Sequence, residues 1–320
     1  MSQPAIEVSR LRRDFRGANG TVKTAIQDLS FHADRGELLG LLGPNGAGKT
    51  STVRVLMTTL LPTAGNARVM GCDVVTETQR VRRRTGIVLG GDGGLYNRLS
   101  AWDNLALFAD LYSIPYRQQR RRIPELLDRV GLTGRERQRV ETYSRGMKQR
   151  LHIARGLLHD PDVVIMDEPS NGLDPVGARE LRALVREQVC DGRTVLLTTH
   201  YMFEADELCD RVVVLAAGRK VAEGTPDSLK RLSGGGTVLS ASTNGIGDEQ
   251  LRRLRELPGV TSVSIETHGG EQLVNIHCSG TADLTALALD RLDGVRVLNI
   301  SRREPTLEDA YVALVADAAS

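Results

Sequence analysis

Eight consecutive residues, Gly43-Pro44-Asn45-Gly46-Ala47-Gly48-Lys49-Thr50, constrain this chain more than any other stretch. They follow directly on the apolar run Leu38-Leu39-Gly40-Leu41-Leu42, which reads as a buried strand, and Lys49 onward reads as a helix. Glycines let the backbone turn tightly enough for successive N–H groups to face an anion. The positive end of the helix adds to the attraction. Lys49 is placed to reach the β- and γ-phosphates of a nucleotide, and the Thr50 hydroxyl to ligate magnesium. Ser51, the next residue, belongs to the same binding segment. A glycine-rich turn alone would be ordinary, but strand, glycines, Lys-Thr and helix in this order predict an α/β fold of the phosphate-loop NTPase type.

A second stretch, Val163-Val164-Ile165-Met166-Asp167-Glu168-Pro169, is an apolar run ending in two acids. A short continuous apolar run is the pattern of a strand buried on both faces. Ligands of parallel sheets bind beyond the carboxyl ends of the strands. Asp167 is therefore the expected metal residue and Glu168 the group that polarises attacking water. On its own an Asp-Glu-Pro sequence is equally a polar turn that ends a strand; beside a phosphate loop the catalytic reading is preferred.

Between these stretches lies Tyr143-Ser144-Arg145-Gly146-Met147-Lys148-Gln149-Arg150. Together the three motifs resemble the nucleotide-binding domain of ATP-binding cassette (ABC) transporters, and in particular the type-2 drug and antibiotic (daunorubicin-resistance-like) export branch. The family signature usually reads Leu-Ser-Gly-Gly-Gln. This copy departs from it at Tyr143, Arg145 and Met147 and keeps Ser144 and Gly146. The resemblance implies a helix N-terminus that offers Ser144 and Gly146 to a phosphate held by a second subunit. A helix cap made by Ser144 is the plainer reading, and the two are compatible. By the same resemblance Ser170-Asn171-Gly172-Leu173-Asp174 is a D-loop that crosses to the partner, with Asp174 among the nucleotide-binding residues. His200, after Val195-Leu196-Leu197-Thr198-Thr199, matches the switch histidine that contacts the γ-phosphate and orients Glu168. Phe15 stands where an aromatic ring stacks on adenine, although a single Phe is as often a core residue. Family members carry a glutamine at the position held here by Gly91; Asp92 is a candidate substitute, the alternatives being water in the metal sphere or slow hydrolysis.

At 320 residues, one or two domains are expected. A net charge of +2 argues against a nucleic-acid binder driven by bulk charge. Arginine runs at 80–84 and 117–122 read either as solvated helix faces or as docking faces for a membrane protein or anionic lipid headgroups. The four cysteines show no CxxC spacing and fit a reducing compartment. Residues 1–10 lack the apolar core of a secretory leader. No apolar stretch approaches the roughly 20 residues that span a bilayer, so a channel is expected to be another chain.

Every nucleotide motif falls within residues 1–232, expected to form the ABC domain: a RecA-like core, an antiparallel β subdomain beside adenine and a helical subdomain at about 92–158. Leu29, Phe31 and Ala33 alternate as a half-buried strand. Ser100 is a helix cap, and Trp102, Leu105, Phe108 and Leu111 recur as an apolar helical stripe, with Trp102 and Tyr96 as candidates to line a groove for a partner helix. Pro124 suits the first turn of a further helix. Residues 233–236 read as a linker. Residues 237–320 read as a small α+β accessory domain of order βαββαβ, the ferredoxin-like unit. A hairpin turn is expected at 268–270, and Thr306 with Asp309 caps a last helix. His268 and His277 are isolated and are not expected to bind metal.

The resemblance implies an ATPase that uses ATP and Mg²⁺. It also implies a homodimer closed around two ATP molecules, a separate integral-membrane permease, and a peripheral location on the cytoplasmic face of the membrane. Export of a drug-like substrate, with antibiotic resistance as the outcome, is the expected function, and no nucleic-acid partner is expected. The alternatives are a soluble ABC ATPase without a permease, or an ATP-binding self-resistance protein with little turnover. The single set of motifs and the short span 50–143 leave no room for the coiled-coil insertion typical of soluble members.

Overall fold

Two strands with alternating burial begin the chain. β1 (Ile6–Arg16) and β2 (Val22–Ala33) pair antiparallel, and Leu29, Phe31 and Ala33 point inward while His32 faces solvent. The computed structural model describes residues 3–17, 20–91, 93–232, 236–268, 271–279 and 284–319. β3 (Leu38–Leu42) is buried at all five positions, as an apolar run flanked by parallel neighbours requires. It leads through the phosphate loop into α1 (Lys49–Leu56). β4 (Ala64–Val69) and the short β5 (Cys72–Asp73) complete a four-stranded antiparallel sheet of order β2-β1-β4-β5.

Next come α2 (Thr78–Arg84), β6 (Thr85–Leu89), α3 (Ala101–Leu111), α4 (Tyr116–Arg129), α5 (Arg145–Gly156) and β7 (Val163–Asp167). They are followed by α6 (Pro175–Cys190), β8 (Thr194–Thr199), α7 (Met202–Leu208), β9 (Arg211–Ala216) and β10 (Arg219–Gly224). A six-stranded sheet of order β10-β9-β3-β8-β7-β6 results, in which β9, β3, β8, β7 and β6 run parallel. One core joins the two sheets: Ile6, Leu29 and Val69 pack in the same cluster as Leu39, Leu41, Ile165 and Val213, with Val53 and Leu56 of α1 among them. Each such fully buried side chain contributes about 1.5–3 kcal/mol relative to exposure. The parallel strands all deliver their carboxyl ends to one edge, where Leu42, Leu89, Asp167 and Thr199 stand.

The helical segment differs from its sequence reading in two places. Ser100 caps α3 as expected, accepting from the Asp103 N–H at 3.1 Å. The buried stripe of α3 is Ala101, Asn104, Leu105 and Ala109, however, so of the expected set only Leu105 is fully buried and Leu111 is 69% exposed. The reason is Asn104. Its amide bonds the carbonyls of Tyr96 and Ser100, and its carbonyl accepts from the Tyr96 N–H, which turns the polar residue inward. Trp102 lies under the Arg137 guanidinium at 4.7 Å instead of in the core. Pro124 sits inside α4, which begins eight residues earlier behind Pro115; it removes one helical N–H from the middle of the helix and not from its first turn.

The chain divides into two compact units, Met1–Glu223 and Gly224–Ser320. The second holds α8 (Pro226–Leu232), β11 (Thr237–Asn244), α9 (Asp248–Arg255), β12 (Val260–His268), β13 (Glu271–Cys278), α10 (Thr285–Arg291), β14 (Arg296–Arg303) and α11 (Leu307–Ala319). Its sheet order β12-β13-β11-β14 is that of a ferredoxin-like βαββαβ unit. Leu239, Ala241, Val274 and Ile276 face Leu251, Leu254 and Ala288 of the two covering helices. α11 packs on α8 and is held by a reciprocal cap, with Thr306 Oγ1 3.3 Å from the Asp309 N–H and Asp309 Oδ2 2.7 Å from the Thr306 N–H. Residues 269 and 270 of the expected hairpin turn and 233–235 of the expected linker lie outside the described residues.

Candidate nucleotide site

The phosphate loop is shaped by its glycines. Gly46 and Gly48 take φ of 87° and 105°, the left-handed region. A Cβ on Gly48 would lie 2.7 Å from the Ala25 carbonyl oxygen, so no other residue fits there. Lys49 opens α1 and is 4% exposed. Its ammonium donates to the Gly43 carbonyl at 2.6 Å and the Pro44 carbonyl at 3.2 Å, and lies 3.3 Å from Glu168 Oε1. The lysine thus lies across the mouth of its own loop, where phosphate oxygens would replace carbonyl and carboxylate contacts.

The acidic pair arrives from the end of β7. The Thr198 hydroxyl donates to Asp167 Oδ1. The Glu168 N–H donates to the Thr198 carbonyl at 3.0 Å, with the hydroxyl at 3.2 Å. Glu168 has φ of 48°, a conformation rare for a residue with a side chain, and these contacts to β8 hold it there. Gly90 closes the other side. It donates to the Asp167 carbonyl at 2.9 Å, and any Cβ on it would collide with the Glu168 carbonyl oxygen. His200, immediately beyond β8, places Nδ1 3.4 Å from Glu168 Oε1 without making a hydrogen bond.

A cleft of about 350 Å³ collects Phe15, Asn45, Gly46, Gly48, Lys49, Thr50, Ser51 and Glu168. Lys23, Thr24 and Ala25 of β2 line it as well; the sequence reading did not single them out, and only the pairing of β1 with β2 brings them to Phe15. Phe15 is 36% exposed, with the Arg13 guanidinium 4.6 Å from its ring centre. Gly43, Pro44 and Ala47 form the loop behind the lining. The donor set suits a nucleotide with its metal: an ammonium, loop N–H groups, the Thr50 hydroxyl and the Asp167 carboxylate.

Ser144, Gly146 and Asp174 are not part of this cleft. Ser144 caps α5, accepting from the Met147 N–H at 3.2 Å, and is exposed together with Arg145. Asp174 caps α6, accepting from the Gly177 N–H at 2.7 Å. The Arg145 guanidinium lies beside Gly172, 3.2 Å from where a Cβ would stand, so the departure from the usual signature touches the segment after Glu168. Gly91 has φ of 90° and open space around it, and Asp92 lies outside the described residues. Among the described residues there is no cluster of three or more metal-ligating His, Cys, Asp or Glu side chains.

A second concavity of about 470 Å³ is lined by Ile87, Gly94, Leu95, Tyr96, Phe108, Tyr112 and Arg155. Arg155, 7% exposed, donates to the Gly94 carbonyl and faces the Phe108 ring at 5.0 Å. Tyr96 lines this groove, as the sequence suggested; Trp102 does not.

The sequence profile of the ABC transporter family matches residues 26–171, which span the phosphate loop and the acidic pair. The daunorubicin resistance ATP-binding protein DrrA3 of Streptomyces coeruleorubidus is 39% identical over 303 residues, 92% of each chain. The chain belongs to the ABC transporter family. The linearmycin resistance ATP-binding protein LnrL of Bacillus subtilis (strain 168) is 34% identical over 294 residues, 91% of this chain and 94% of that one. Among solved structures, an ATP-binding subunit of an ABC transporter superposes with a TM-score of 0.64 at 32% identity, over 72% of this chain and 94% of that chain. The protein is an ABC-family ATP-binding subunit and ATPase of the branch that contains these resistance proteins. Among the described residues no helix is long and apolar enough to cross a membrane.

Proposed function

We propose that this protein powers export of a drug-like molecule through a separate membrane permease, by closing two copies head to tail around two ATP molecules. The juxtaposition of Lys49, Glu168 and His200 at one cleft carries this reading. Phe15 receives adenine; Gly43 to Gly48 and Lys49 receive the phosphates. Thr50 and Asp167 would hold Mg²⁺, which neutralises phosphate charge when bound. Ser144, exposed at the start of α5, and the half-buried Gly146 meet the γ-phosphate of the opposite copy, with Asp174 fixing the crossing segment.

The Lys49–Glu168 contact gives the cycle its logic. Triphosphate competes for the ammonium and frees Glu168, which then accepts the proton of attacking water while His200 holds its orientation. Loss of the γ-phosphate removes the bridge between copies, and the pair relaxes. The Tyr96–Phe108–Arg155 groove receives a segment of the permease, so the subunit works at the cytoplasmic face of the membrane. Residues 237–320 serve as an accessory domain with a regulatory or dimer-stabilising role.

Glu168→Gln tests the reading. The variant is expected to bind ATP, to hydrolyse it at least about 100-fold more slowly, and to elute as a dimer with ATP but not with ADP. Hydrolysis at the parent rate would remove Glu168 from its role; a monomer with ATP bound would remove the two-copy mechanism.

A further inference from the structure

The turn between α3 and α4 is built inside out. Its carbonyls and carboxylate are satisfied from within: the Gln119 amide, 5% exposed, donates to Ile114 O at 2.8 Å and to Asp110 Oδ1 at 2.7 Å. Backbone bonds from Ser113 to Asp110 and from Ile114 to Ala109, both 2.9 Å, fix the path, with Ser113 in the left-handed region at φ of 58°. The apolar groups point out. Leu111 is 69% exposed and Tyr116 70%, and Pro115 is exposed between them, whereas Tyr112 stacks on His159. Turn tips in water ordinarily carry small polar residues.

Arginines border the tip. Arg122 is used internally, bonding Leu158 O at 2.6 Å, Leu157 O at 2.8 Å and Asp160 at 3.0 Å, and Arg121 lies 3.7 Å from Glu125. Arg117 and Arg120 are exposed, and among the described residues neither forms an ion pair; Arg120 lies 6.0 Å from the Tyr116 ring centre. An exposed apolar tip beside two guanidiniums without an ion pair has the chemistry of an interfacial anchor, in which apolar and aromatic groups enter the headgroup boundary and cations meet anionic lipid. A permease segment needs a concave receptor, and the neighbouring groove at Tyr96 and Phe108 provides one.

We propose that the α3–α4 tip seats this protein on anionic lipid, with Leu111 and Tyr116 entering the headgroup layer and Arg117 and Arg120 pairing with lipid phosphates. The proposal rests on the membrane-face reading above and fails or succeeds separately from it, because its test reads lipid binding and not nucleotide turnover. Purified full-length protein is sedimented with vesicles of pure phosphatidylcholine and with vesicles containing phosphatidylglycerol, at low and high salt.

Binding is expected only to the anionic vesicles and is expected to weaken with salt. Arg117→Glu with Arg120→Glu should weaken it at least about tenfold, and Leu111→Ser with Tyr116→Ser comparably. Both double variants should keep the parent's circular dichroism and ATP affinity, which excludes misfolding as the cause. A Tyr116→Trp variant should show a blue-shifted emission on anionic vesicles alone. The proposal is overturned if the parent ignores anionic vesicles, if phosphatidylcholine binds equally well, or if both double variants bind like the parent. Binding that appears only in membranes holding a permease would also overturn it, and would assign the tip to a protein partner.

Discussion

In the first unit Lys49, Glu168 and His200 meet with His200 Nδ1 left unbonded, whereas in the second Arg303, Asp309, Thr306, Ser240 and Asn275 meet and consume one another's bonding capacity. Arg303 holds both oxygens of Asp309 at 2.6 and 2.9 Å, and its Nε lies 3.2 Å from the Ser240 hydroxyl, which donates to Asn275 Oδ1 at 2.7 Å. Burial alone would raise the Asp309 pKa, but the Arg303 guanidinium and the Thr306 donors outweigh it and lower it to about 2. Under the proposed function the first cluster receives an incoming anion. The second is a closed clamp that ties α11 to its sheet. Buried charge therefore marks chemistry only where its partners are incomplete.

The largest effect that would break this contrast is at Lys49. Lys49→Ala should lower ATPase activity about 10³-fold while leaving the unfolding midpoint of the second unit in place. An active variant would show that the open cleft is not the working site. Next, Arg303→Ala leaves the Asp309 carboxylate, 9% exposed, without its guanidinium; the second unit should lose about 3 kcal/mol in denaturant unfolding with ATP turnover unchanged. If turnover falls with it, the clamp is coupled to the cleft and the two regions are not separate in kind. Gly90→Ala then sharpens the first half. Its methyl group displaces Glu168, and a loss of about 100-fold in turnover with nucleotide affinity retained is the expected result.

The smallest effect is in the pH dependence. Burial lowers the His277 pKa, a shift that Asp309 opposes and Arg303 reinforces. A histidine held neutral costs stability as pH falls below its unfolded value of about 6.5, because only the unfolded chain takes up the proton there. The second unit should therefore weaken as pH drops below that value, and His277→Gln should flatten the slope. The Asp309 contribution, on the order of 2 kcal/mol, is present above the unfolded carboxylate range near 4 and disappears as pH falls toward about 2.

The phosphate loop, the acidic pair and the βαββαβ order were legible because each is contiguous or strictly periodic in the sequence. Glu168's left-handed backbone and the need for glycine at position 90 were not, since both arise where the ends of β6, β7 and β8 meet. The stripe on α3 was misjudged for a related reason: Asn104 is polar by type and buried by partnership with Tyr96 and Ser100, which rotates Leu111 outward. Lys23, Thr24 and Ala25 enter the cleft through strand pairing alone.

The contact of Gly90 with the Glu168 backbone has a mechanical outcome. Between Gly90 at the end of β6 and Glu168 there is main chain against main chain, with no rotamer to absorb a push. Under the cycle proposed above, a shift of Gly90 reaches position 168 undamped, so the absence of a single methyl group gears movement at the end of β6 to the carboxylate.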